Sequence, residues 1–467
     1  MTEQNRLSVG IIGGGIAGLT AAYELLQAEA DVRVFEASGR VGGAIRSRRM
    51  AGYLIEEGPN ALQAATPVLA RLIGELGLED AQIEAAPAAK KRYVVRGGRP
   101  VALPASPPGL LRSDLFSWKA KLRLLAEPLV RARSSETEES IADLVRRRLG
   151  PEALDYALNP FVAGIYAGDP ARLSARHAFP KLYDLERTSG SLVLGGLKRA
   201  RAARAASRKN GVAAPRRRTF SFAEGLQTLP DALAGRLAGH VTLQAPVVAI
   251  HPEEKGWRLT ALEGSAPVHY HFSHLIYAAP LHRLAALDFD AQLDLAPLAA
   301  VSYPPVTTVA LGFRREQVAY PLDGFGLLVP EVEKAFQILG TLFLSTLFPG
   351  RAPDGHVLLT TFVGGARYPT LATASEAAIL KVVQRDLGAL LDVRGEPAFV
   401  HLARWEQAIP QYNMGYGDVV DLLSQLEAQH PGLHFAGNYR HGISVGDAMT
   451  SGAAAAEQVE GQEGWKE

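Results

Sequence analysis

The chain of 467 residues contains no cysteine. That excludes disulfides, cysteine-ligated zinc, iron–sulfur clusters and a cysteinyl bond to a cofactor. Any redox chemistry must therefore come from a bound group. An excess of charge is also missing: 49 Lys and Arg stand against 48 Asp and Glu, a net charge of +1. No global field favours nucleic acid or membrane, and no nucleic-acid partner is expected. No apolar run reaches the roughly 18 residues that a membrane-spanning helix needs. The apolar segment near the start is not expected to be a signal peptide, because MTEQNR carries an acid and the run belongs to a βαβ unit. The 12 histidines show no metal-ligand spacing, so no metal site is expected. Lack of cysteine fits a reducing compartment, and a cytoplasmic location is the expectation.

What is present is ordinary in bulk and specific in places. The sequence is 47% hydrophobic, as a soluble enzyme commonly is. Its length is too great for one simple core, so two or three substructures are expected. The segment VGIIGGGIAGLTAAYELLQAEADVRVFEASGRVGGA (9–44) reads as strand, glycine turn, helix and second strand. Gly13, Gly15 and Gly18 form G-x-G-x-x-G, within the run Gly13-Gly14-Gly15-Ile16-Ala17-Gly18. Gly13 allows the tight turn, Gly15 lets a pyrophosphate approach the backbone, and Gly18 lets the helix pack close to the strand. The helix N-terminus offers N–H groups to phosphate. Glu36 ends the second strand 18 residues after Gly18, where an acid can bind ribose hydroxyls. This order of strand, glycines, helix and acid points to dinucleotide binding. The run Glu36-Ala37-Ser38-Gly39-Arg40-Val41-Gly42-Gly43 resembles the E-x-x-x-R-x-G-G segment of FAD-dependent amine oxidases and their relatives. Arg40 can neutralise phosphate, and Gly42 and Gly43 let backbone pass close to the cofactor.

Along the chain, a helix is expected at Thr66–Leu76, and further helices at Ser117–Arg133, Glu138–Leu149 and Pro151–Leu158. Lys198–Arg218 carries nine Lys or Arg and no acid. It reads as a solvated surface loop, or alternatively as a contact for acidic lipid or an acidic partner. Strands are expected at Val241–Ile250, Trp257–Ala261, His274–Ala279, Val306–Gly312 and Leu358–Gly364, with a helix at Thr373–Leu391. His434–Gly452 reads as strand, glycine loop and helix. A nucleotide-binding fold assembled from distant pieces is implied. Its parts would be 1–88, 222–280 and 400–467. The insertions would be a helical domain at 89–200, a basic loop leading to the substrate domain at 201–221, and a substrate-binding domain at 281–399.

Over nearly the whole length the chain resembles the oxygen-dependent protoporphyrinogen IX oxidases of bacteria and plant organelles. The segments that carry the resemblance include EEGPN (56–60), KRYVVRGGRPVALPASP (91–107), FVAGIYAGDP (161–170), GSLVLGG (190–196), SFAEGLQTLPDAL (221–233), TTFVGGAR (360–367), WEQAIPQY (405–412) and LHFAGNYRHGISVGDAMTSG (433–452). The resemblance implies an α/β and α+β fold of the amine-oxidase superfamily, with a p-hydroxybenzoate-hydroxylase-like domain holding one non-covalent FAD. It implies six-electron oxidation of protoporphyrinogen IX, with dioxygen as acceptor and hydrogen peroxide as product. A helical membrane-associating domain, peripheral contact with the inner face of the cell membrane, and a homodimer are further expectations. Gly13 to Gly18, Glu36 and Ala37 would hold the ADP half of FAD. Ala44, Gly58, Pro59, Asn60, Ala61 and Trp405 would sit beside the flavin, and Val248 would meet adenine through its backbone. Gly437, Asn438, Ile443, Ser444 and Val445 would approach the pyrophosphate and the ring system.

For substrate, the resemblance assigns Arg96 to a propionate, Leu328, Leu342 and Phe362 to an apolar wall, and Gly164 to a backbone approach. Asn60 would face flavin and substrate together. On the residues alone, Arg96 could be a hairpin arginine beside Gly97-Gly98, and the three apolar residues ordinary core. No general base is assigned. Gly415-Tyr416 stands where many bacterial relatives have Gly-His, so any role of that histidine does not transfer. Coproporphyrinogen III is the alternative substrate, although its four propionates would call for more basic anchors. Another amine-oxidase-fold enzyme, or a non-catalytic binder related to the Rab GDP-dissociation inhibitor, fits the middle segments and the intact Glu36–Gly43 run less well.

Overall fold

The computed structural model describes residues 7–63, 66–133, 137–210, 218–289 and 295–462. Its nucleotide-binding half is a five-stranded parallel sheet. The strands lie in the order Val241–Thr242, Asp31–Phe35, Ser8–Ile12, His274–Tyr277 and Leu433–Phe435. Central strands such as SVGII are almost wholly apolar because layers cover both faces. The helix Ile16–Gln27 lies on one face, and Val445–Gln462 crosses it closely. Gly452 makes that crossing possible, since a Cβ there would lie 2.1 Å from the Ala17 carbonyl oxygen. A three-stranded meander, Val247–Glu253, Gly256–Glu263 and Ala266–Phe272, packs against the sheet. The Phe272 ring occupies the space where a side chain on Gly10 would go.

The second half is a seven-stranded, mostly antiparallel sheet. Its order is Phe399–Trp405, Val306–Arg314, His356–Gly364, Ile338–Phe343, Gly324–Leu328, Lys91–Arg96 and Arg99–Ala102. The hairpin Lys91–Ala102 thus belongs to this sheet and not to the helical domain expected from residue 89. Likewise Phe399–Trp405 pairs with Val306–Arg314, so the sheet runs past the expected boundary at 399. Both boundaries were misplaced because each strand is far in sequence from the strand it pairs with.

Helices fill 107–210. Ser106, Ser117, Ser140 and Ser174 each start one by accepting a backbone N–H on the side-chain oxygen. The expected helix Ser117–Arg133 stops at Leu125 and gives way to a short 3-10 turn, Glu127–Leu129, where Pro128 cannot continue the ladder. Pro151–Tyr166 is one winding rod that passes through a π-helical turn at Leu154–Leu158. The basic segment is helical as far as Asn210, not a loop; Ala-rich sequence with Lys and Arg favours that. Its continuation at 211–217 lies outside the described residues. Val241–Ile250 divides at Leu243–Pro246 into strands of two different sheets.

The helical region has an ionic centre. Arg148 is fully buried and donates to the Glu127 carboxylate, to the Val130 carbonyl and to the Gly190 carbonyl. Glu127 also accepts the N–H groups of Leu192 and Val193 and the Ser191 hydroxyl, capping the helix Leu192–Asn210.

Candidate cofactor and substrate site

The site begins at the carboxyl ends of the parallel strands, where ligands of open α/β sheets bind. Gly13 has φ +112 and donates its N–H to the Phe35 carbonyl at 2.8 Å, joining the first strand to the second. A Cβ on Gly18 would lie 2.0 Å from the Gly13 oxygen, so the turn and the helix can meet only at glycine. The helix Ile16–Gln27 starts at Gly15 with no side-chain cap, leaving its first-turn N–H groups for an anion. Glu36 holds two N–H groups, Gly14 at 2.7 Å and Ser38 at 2.8 Å, one on each oxygen. Each carboxylate oxygen keeps a further lone pair for a hydroxyl. Ala37 beside it is exposed.

The second glycine pair folds over the first. Gly42 donates to the Gly14 carbonyl at 2.8 Å, and a Cβ on Gly43 would lie 3.2 Å from the Gly15 Cα. Arg40 organises this loop from within, donating to the carbonyls of Val41, Gly43 and Ile45. Burial lowers the affinity of its guanidinium for the proton, which the Glu57 and Glu36 charges oppose. Ala44 then touches Gly58, where a Cβ would meet the Ala44 oxygen at 2.0 Å.

From Gly58 to Ala61 the chain passes the inner edge of the site. Glu57 anchors it with Arg46 and Arg48, each at 2.9 Å, and His401 at 2.9 Å. Trp405 donates its indole N–H to the Glu57 carbonyl at 2.8 Å and lies over Gly58, with Pro59 following. Asn60 is buried and donates to the Gly58 carbonyl, while its Oδ1 has no hydrogen-bond partner in the protein. A buried orphan acceptor calls for a donor from a bound molecule.

On the far side, Gly437 donates to Ser451 Oγ and leads through Asn438 and Ile443 to Ser444. Ser444 and Asp447 cap the helix Val445–Gln462 reciprocally. Val248 is the extra residue of a β-bulge, out of register with the neighbouring strand and part-exposed. These features fit FAD. There is an open glycine approach, an acid with spare lone pairs, an orphan acceptor and two helix N-termini around one crevice.

The substrate residues meet on the seven-stranded sheet. Phe362 pairs across with Gly340, and Gly340 with Leu328, so the glycine lies between the two apolar side chains. Leu342 stands two residues along the same strand and shares an apolar cluster with Ala61 of the Asn60 loop. The helix Asn159–Tyr166 lies over this face, and a Cβ on Gly164 would lie 2.6 Å from Leu328 Cδ2. Gly340 was not singled out from the sequence; a glycine inside the strand Ile338–Phe343 was its only signal.

Arg96 differs from its expected state. It donates to Glu152 Oε1 at 2.5 Å and to the Leu115 carbonyl, and its guanidinium lies 4.4 Å from the Tyr156 ring centre. Its charge is already paired. Glu152 was not recognised from the sequence, because it is 56 residues away. Among the described residues no cluster of His, Asp or Glu could hold a metal ion.

Comparison with known proteins agrees with this geometry. The profile of flavin-containing amine oxidoreductases matches residues 16–460. Protoporphyrinogen oxidase 2, chloroplastic/mitochondrial, of Arabidopsis thaliana is 36% identical, covering 97% of this chain and 93% of the plant protein. Coproporphyrinogen III oxidase of Bacillus subtilis is 28% identical over 95% of this chain and 96% of its own length. A crystal structure from Exiguobacterium sp. 255-15 superposes with a TM-score of 0.82 at 24% identity, covering 98% of this chain and all of the other.

Proposed function

The chain belongs to the flavin-containing amine oxidoreductase family and is an FAD-dependent oxidoreductase, and we propose that it oxidises protoporphyrinogen IX to protoporphyrin IX in tetrapyrrole biosynthesis, with dioxygen as the acceptor. The observation that carries this reading is the apolar face of Leu328, Gly340 and Phe362, joined through Leu342 and Ala61 to the orphan acceptor of Asn60. A broad, flat macrocycle needs such a surface with few polar anchors.

When bound, FAD supplies the two-electron acceptor that dioxygen regenerates. The protein's part is to bind, orient and exclude water. Leu328 and Phe362 would flank the macrocycle, and the helix bearing Gly164 would cover it. Asn60 Oδ1 would accept a pyrrole N–H, which holds the proton-bearing edge toward the cofactor loop. Arg96 would meet a propionate by exchanging it for Glu152. No side chain is assigned as a strong base, since the pyrrole nitrogens themselves can release protons.

The test is anaerobic protoporphyrinogen IX against coproporphyrinogen III, followed by porphyrin fluorescence and oxygen uptake. Faster turnover of protoporphyrinogen, with about three oxygens consumed per porphyrin at two electrons each, is expected. Preference for coproporphyrinogen would overturn the substrate assignment.

The same reading includes peripheral membrane contact from the cytoplasm, and a homodimer. What supports the former is a stripe of Trp118, Leu122 and Leu125 at helical spacing, followed by Leu129 in the 3-10 turn, all more than 60% exposed. Lys119 and Arg123 lie in the same segment. No described helix is long and apolar enough to cross a membrane.

A further inference from the structure

Gln411, Tyr412 and Tyr416 lie just beyond Trp405 and have no part in the assignments above, yet they join the two halves of the site. Gln411 is 3% exposed and donates from Nε2 to the Tyr166 carbonyl at 2.8 Å. Tyr166 ends the helix that carries Gly164. Tyr412, equally buried, donates its hydroxyl to the Asn438 carbonyl at 2.5 Å and accepts the Gly442 N–H at 3.1 Å. Tyr416 donates to the Tyr439 carbonyl at 2.6 Å. The two phenol rings are stacked with centres 4.3 Å apart.

The loop from Asn438 to Gly442 is therefore held at both ends and in the middle by two hydroxyls. That loop leads directly into Ser444 and the helix N-terminus on the flavin side. Burial raises both phenols well above the ordinary tyrosine value, so they stay neutral donors at physiological pH. Through its carbonyl, Tyr412 also accepts the Ser174 N–H at 2.8 Å, which ties the same strut to the helical region.

We propose that Gln411, Tyr412 and Tyr416 are positioning residues that fix the cofactor loop Asn438–Gly442 against the substrate-wall helix Asn159–Tyr166; the substrate half of this inference rests on the functional reading above. A side chain that only filled space would not need its hydroxyl placed on loop backbone. Here each phenol oxygen is spent on that one loop.

Tyr412→Phe and Tyr416→Phe keep the ring stack and remove only the hydroxyls. Each variant is stripped of flavin and titrated with FAD by fluorescence quenching. The FAD dissociation constant should rise about five- to tenfold, more for Tyr412→Phe, which loses two bonds. The visible absorption of the bound flavin should shift. Tyr93→Phe is the control: it removes a phenol bond from a buried tyrosine, to the Asp323 carboxylate, on the strand Lys91–Arg96 and away from the loop. It should lose comparable thermal stability while keeping wild-type FAD affinity and spectrum. Gln411→Leu should raise KM more than it weakens FAD. Wild-type FAD affinity and spectrum in both loop variants, or an equal change in Tyr93→Phe, would overturn the proposal. If Tyr412→Phe does not fold, Tyr416→Phe decides alone. FAD affinity is read without turnover, so failure of the oxidase reading would show separately, as wild-type protein that binds FAD but forms no porphyrin.

Discussion

A methyl group at Gly18 would lie 2.0 Å from a carbonyl oxygen, whereas one at Gly15 would meet nothing nearer than the Gly43 Cα at 4.0 Å. The two glycines of one motif thus serve different ends. Gly18 is needed for the protein to fold, and Gly15 for a ligand to approach. Gly15→Val should therefore purify as folded protein with a near-normal melting temperature but without the yellow flavin absorbance. A fully yellow preparation would count against the pyrophosphate assignment. Arg96 invites a sharper experiment. Its partner Glu152 lies where a substrate carboxylate would compete. Arg96→Ala should raise KM several-fold with a smaller change in kcat, because it removes binding common to ground and transition states. Glu152→Gln should lower KM, since it leaves the arginine less firmly held. If both variants raise KM alike, the pair is only a strut between the hairpin and the helix.

Among the elements, the helical region depends most on one interaction. Glu127→Ala would leave the buried Arg148 guanidinium with only the Glu186 carboxylate, 3.4 Å away, which costs up to about 3–5 kcal/mol. Thermal and urea unfolding should both register it, and Glu127→Leu combined with Arg148→Met should recover part of the loss. Burial alone would raise the Glu127 carboxyl, but the Ser191 hydroxyl and the N–H groups of Leu192 and Val193 hold it below its usual value. Its contribution is therefore complete above the unfolded carboxylate value, about 4.3, and is lost as pH falls through the lower folded value. Melts across that acid range should show wild-type and Glu127→Gln protein converging. The succession of strand, glycines, helix and strand at 9–44 and the helix at Thr66–Leu76 were legible because local chemistry dictates them; Thr66 caps a helix that opens on Pro67. Partnership at long range was not legible. Nothing near Lys91 announces that its strand will lie beside Gly324–Leu328. Nor does Glu127 announce that it caps a helix starting 65 residues later. The site residues assigned from the sequence were those inside motifs, whereas Gly340, Glu152 and the tyrosine pair, to which it gave no role, act through contacts made only on folding.

At the scale of the whole molecule, two sheets and a helical region enclose the site, and the apolar stripe of Trp118 to Leu129 faces outward from the last of these. Leu122→Glu with Leu125→Glu should abolish co-sedimentation with anionic lipid vesicles while soluble porphyrinogen turnover is retained. Unchanged sedimentation would remove that stripe from consideration. The crevice for the cofactor has walls from the first forty residues and from the last forty, with Ala17 and Gly452 in contact. A ribosome adding about 5–20 residues per second would therefore need about 20–80 seconds between making the first wall and the second. Flavin capture must wait until the helix Val445–Gln462 has been made. A chain that stops short of that helix lacks the second wall, and acquiring the yellow colour becomes a report that the polypeptide was made through to it.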